Sequence, residues 1–178
     1  MIIRDIFLYF AQFVSKDVLR DAFLAANAPG YAELKAAALA LPDTRVIPAI
    51  KSFIIGPDEE AVRQRIAAAT GLYIFIDYGA ATSYIDSYDV KTDKMHIGIT
   101  CAIPTPEDTD QPSLVLFQDE TLSVVKTIRD AMRADSYDTP SLEWLPMEAS
   151  SVTPFLAKAL AGSTGWMLEW NAKFTDVL

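Results

Sequence analysis

Cysteine and histidine each occur once in this chain. A single cysteine, Cys101, excludes an intrachain disulfide and any cysteine-rich zinc site. It lies in the apolar run from Ile97 to Ile103, where a small buried hydrophobe is the expected role. His96 is the only imidazole that could serve a nucleophilic pair, and Cys101 stands five residues further along the same expected strand. Odd spacing along a strand points side chains to opposite faces, so the two are not expected to meet. Also missing are a Gly-x-Ser-x-Gly elbow, a phosphate-cradling glycine-rich loop and a His-Glu-x-x-His zinc motif. Cations are in short supply, with 15 Lys and Arg against 24 Asp and Glu and a net charge of −9. Neither a nucleic-acid surface nor an anionic membrane suits that balance. No uncharged run approaches the ~18 residues of a membrane span. Arg4 and Asp5 interrupt the apolar amino terminus and no small-residue cleavage site follows, which reads as a folded helix and not a signal peptide. No catalytic residue, cofactor or metal is expected.

What is present is an ordinary core-forming composition, 51% hydrophobic and 22% charged, at a length of 178 residues that suits one domain. The organising stretch runs from Phe117 to Ala134. Leu122, Val125, Ile128 and Met132 recur at steps of three and four and so share one helical face. With Asp119 and Glu120 in its first turn and Arg129 and Arg133 in its last, the helix would suit its own dipole. Residues 2–26 carry a second apolar periodicity, with a break or kink allowed at Ser15-Lys-Asp17, and Tyr31 to Leu41 is a further alanine-rich helix. So large an apolar face needs a cover, supplied by the rest of the domain or by a partner subunit.

Strands are expected at Arg45 to Ile55, with Pro48 marking an edge or bulge, and at Leu72 to Tyr78. Two more, Tyr84 to Val90 and Lys94 to Ile103, are expected around a turn at Lys91-Thr-Asp93. A short helix follows Gly56-Pro57, with Pro57 at its first position and Gly71 as its stop. Pro104 to Pro112 is an acidic, proline-rich loop, and Asp135 to Pro140 a turn. Ser141 to Ala149 reads as strand, while Phe155 to Leu160 would suit one or two helical turns. Gly165 to Phe174 alternates cleanly, with Trp166, Leu168, Trp170, Ala172 and Phe174 on one face and Glu169, Asn171 and Lys173 on the other. The sum is an α+β fold. It has one mostly antiparallel sheet of about five to six strands, a long helix across it, a helical segment over 1–44 and a core over 45–178.

Carboxylates are the remaining chemical candidates: Asp77, Asp86 and Asp89 on or beside strands, and Glu107, Asp108 and Asp110 in the loop. The loop lacks the glycine and terminal glutamate of a helix–loop–helix calcium site. The order from about Arg45 to Phe174 resembles the tail-terminator and tail-completion (neck) proteins of long-tailed bacteriophages. The resemblance lies in the Leu72–Tyr78 strand, the Lys94–Ile103 strand with its acidic loop, the 117–134 helix, and the strands at Leu142–Trp144 and Gly165–Phe174. It implies a structural, non-enzymatic ring subunit in a virion or, during assembly, in a bacterial cytoplasm, with partners that are copies of itself and other tail or neck proteins. Phe7, Phe10, Trp166 and Trp170 are the expected interface residues. The alternative is an α+β domain binding a small ligand or a protein, or an enzyme using carboxylates such as Asp77 and Asp86.

Overall fold

The computed structural model describes residues 2–23, 28–57, 59–85, 91–139, 142, 144–145, 150–157 and 162–175. In chain order they form α1 (Ile2–Ala11), α2 (Lys16–Ala22), α3 (Tyr31–Ala40), a single 3-10 turn (Asp43–Arg45), β1 (Ser52–Gly56) and α4 (Glu59–Ala67). There follow β2 (Tyr73–Ile85), β3 (Lys91–Pro104), α5 (Gln111–Asp138), β4 (Ser151–Ala157) and β5 (Ser163–Thr175). The five strands make one sheet in the order β1-β2-β3-β5-β4, with β1 parallel to β2 and every other pair antiparallel. This is the α+β architecture that the element pattern predicts.

The break allowed at Ser15 is real. The Ser15 hydroxyl accepts the Val18 N–H at 3.4 Å and starts α2, so the apolar stripe continues on a second, redirected helix. Lys16 then reaches the C-terminal end of α3, donating to the carbonyls of Ala38 and Leu41.

Arg45 to Lys51 is not strand, because its backbone is used elsewhere. The Ile47 N–H donates to Phe13 O at 2.9 Å, Ile50 N–H donates to Ile47 O, and Pro48 has no N–H to give. Only Ser52–Gly56 joins the sheet, as its edge. Pro57 lies in a bend and α4 starts at Glu59, two residues beyond the expected first position.

β2 and β3 are long partners. A bulge between Tyr78 and Ala81 lets β2 run on to Ile85, and Lys91-Thr-Asp93 is paired strand instead of a turn. The connection falls at 86–90, outside the described residues, as does most of the expected Tyr84 to Val90 strand.

α5 is longer than the periodicity indicates. Asp110 caps it by accepting the Ser113 N–H at 3.0 Å, and Pro112 sits in its first turn. Asp119, Glu120, Arg129 and Arg133 therefore lie inside the helix, away from its terminal turns. Thr121, Val124, Val125, Ile128 and Met132 are its buried side, with Leu122 half-covered. At the far end the helix continues through Asp138, where a turn was expected.

The last corrections concern 141–160. Among the described residues there, Leu142, Trp144 and Leu145 lie in consecutive tight turns (Leu142 N–H to Thr139 O and Leu145 N–H to Leu142 O, both 2.9 Å) and not in a strand. Residues 151–157, part of which read as helix, are extended instead. Pairing with β5 from Ser151↔Glu169 to Ala157↔Ser163 overrides local propensity. As an edge strand, β4 tolerates Pro154.

The core divides by sheet face. On one side α1, α2 and α5 cover Phe53, Ile74, Ile76, Ile97, Ile99, Cys101, Leu168 and Trp170. On the other, α4 sets Val62 and Ile66 on Ile54, Tyr73, Phe75 and Ala102, at the β1–β2 side. Gly165 faces Ala102 across β3 and β5, and a Cβ there would stand 2.1 Å from the Cys101 carbonyl oxygen. Only glycine fits that approach.

Candidate functional site

Alternation places His96 and Cys101 on opposite faces, as their spacing requires. Cys101 is fully buried under α5, and burial pushes its thiol far above the ordinary range, which leaves it unreactive. His96 lies on the far face of β3, beyond α4. Its Nε2 is 3.8 Å from Glu169 Oε2 on the neighbouring β5, and Ser151 donates its hydroxyl to Glu169 Oε1 at 3.2 Å. Together with Asn171 they line an open depression of about 330 Å³. The serine is bonded to the carboxylate, not to the imidazole. This arrangement can hold a polar group, and it sets a hydroxyl against a carboxylate whose other oxygen faces the imidazole.

Asp77 sits on β2 opposite Gly98, while Asp86 and Asp89 lie outside the described residues. Glu107 and Asp108 are exposed at a turn closed by the Thr109 N–H on Pro106 O (3.1 Å). Asp110 is drawn below the usual carboxylate range by the Ser113 backbone N–H that it caps. Among the described residues no three His, Cys, Asp or Glu side chains could share a metal ion. Nor is any described helix long and apolar enough to cross a membrane.

The four expected interface residues pack within the chain itself. Phe10 and Trp170 are buried, their rings 6.4 Å apart, and the Trp170 indole N–H donates to Trp144 O at 3.0 Å. Trp166 is half-buried and donates to Gln118 O at 2.9 Å. Phe7 is half-buried edge-on between Phe23 and Phe53. The cover for the amino-terminal apolar face is therefore largely the chain's own sheet and helix α5.

A polar clamp ties that segment down. Tyr9 on α1 donates its hydroxyl to Asp135 Oδ2 of α5 at 2.8 Å, and Arg45 grips the same carboxylate with both terminal nitrogens, one at 2.7 Å. Arg45's hydrogen bonds hold Asp135 below the ordinary carboxylate range and raise the guanidinium in turn. Burial first, then the carboxylate, raises the Tyr9 phenol. No local sequence signal marks this cluster, since its members stand 90 and 126 positions apart.

A groove of about 400 Å³ lies beside the edge strand β1, between α2 and the end of α4, with Lys51 and Arg65 among its lining residues. The chain matches no protein-family model, no curated protein and no solved structure.

Proposed function

We propose that the chain is a structural subunit of a phage or prophage particle, acting in a homo-oligomeric ring of the tail-terminator or neck kind. The observation that carries this reading is the order of elements from β1 to β5: edge strand, short helix, long hairpin, acidic loop, a helix laid across the sheet, and two closing strands. Three features support it. Past its pairing with β1, which ends at Asp77, β2 carries exposed residues at Ala81 to Ser83 and Ile85. Both outer strands, β1 and β4, have one sheet neighbour each. The depressions are open. Partners would then be copies of this chain and other tail or neck proteins. The test is absolute mass by light scattering at two protein concentrations, with negative-stain imaging of any large species. A defined oligomer seen as a closed ring is expected, and a monomer at both concentrations would contradict the reading.

A further inference from the structure

We infer that the groove beside β1 is a docking site for the acidic loop of a second copy of this chain. This inference rests on the oligomeric reading above and names the surfaces that meet. The groove has a floor that includes Val18, Ala22 and Phe53, and a rim bearing Lys51, Arg65 and Asp21. Its rim is net cationic in a chain whose overall charge is −9. Both cations are exposed, Arg65 makes no hydrogen bond or ion pair with any described residue, and the Lys51 ammonium donates to the Pro48 carbonyl at 2.8 Å.

The matching feature is the tip of the loop before α5. The Thr109 N–H and hydroxyl both donate to Pro106 O, at 3.1 and 2.7 Å, so Pro106 to Thr109 is a fixed turn. At its root, Thr105 is tied to Gly162 O by N–H and hydroxyl at 2.6 and 2.9 Å. Pro106, Glu107 and Asp108 are thus presented to solvent on a preformed support. Little ordering remains to be lost on binding. Seated in the groove, Pro106 would lie on the apolar floor while the two carboxylates face Lys51 and Arg65. Such a contact joins two different patches, which is the heterologous kind that builds rings.

The test uses the full chain. Ordinary and heavy-nitrogen protein are mixed, joined with a carbodiimide that couples lysine to carboxylate, and read by mass spectrometry for heavy-to-light Lys51–Glu107 or Lys51–Asp108 links. In parallel, Arg65→Glu and the pair Glu107→Lys with Asp108→Lys are weighed by light scattering. All are exposed positions, and circular dichroism checks the fold. Each reversed chain alone should associate at least about tenfold more weakly. A one-to-one mixture, in which each groove can again meet an opposite charge, should associate more strongly than either reversed chain alone. An assembly without the link and indifferent to both reversals overturns the inference and leaves the ring reading standing. A monomer that still gives the link upholds the contact and counts against a stable ring. A monomer without the link overturns both.

Discussion

The two faces of the sheet are built to different standards. Beneath α1 and α5 lies an aromatic core in which Tyr9, Phe10, Trp144 and Trp170 meet mostly edge-on, with centroids 5.0 to 6.4 Å apart. The other face has the small cluster under α4 at the β1–β2 side, and past it His96, Glu169 and Asn171 meet solvent. The difference shows what holds the chain together and what is left at the surface. Most large apolar side chains are spent internally, and the exposed ones among the described residues are Ile3, Ile85, Val115, Leu116 and Tyr137.

That contrast can be broken most severely at its centre. Phe10→Ala should cost about 3–5 kcal/mol, against about 2–4 for Ile66→Ala beneath α4, because it also removes ring contacts to four neighbours. Urea unfolding of the two variants measures the gap. Gly165→Ala should cost about 1–3 kcal/mol or more, since the added methyl drives β3 and β5 apart. Slow amide exchange along those strands should be lost first.

The clamp gives a smaller effect with a defined pH dependence. Asp135's pKa in the folded chain lies below the ordinary value of about 3.9. Its contribution is therefore complete above that value and lost as pH falls through the folded pKa. Tyr9's is raised, so its share is complete below the phenol's usual value of about 10 and lost at higher pH. Asp135→Asn should cost about 1 kcal/mol at neutral pH, the ion pair being partly solvated, and should flatten the acid side of a stability–pH curve. Smallest of all, His96→Ala on the open face should change stability by less than about 0.5 kcal/mol, as its imidazole is 43% exposed.

Much of the fold was legible where periodicity was long. The buried side of α5, the alternation of β5 and the opposed His96 and Cys101 all follow from spacing. What was misread was decided by distant partners. Residues 151–157 are extended because β5 pairs with them, and 46–51 are irregular because Phe13 O takes the Ile47 N–H. Trp166 and Trp170 could be placed on an apolar face from sequence alone, but whether that face was core or interface depended on α1 and α5 covering it. The clamp and the β1 groove were invisible because only the folded chain brings their members together.

Tryptophan accessibility distinguishes these two roles for the aromatic face. Iodide quenching of Trp144, Trp166 and Trp170 would be measured across a wide dilution series. If the aromatic face is filled from within the chain, quenching does not change on dilution. Emission that becomes strongly quenchable on dilution would place the tryptophan strand at an interface between subunits and contradict the account.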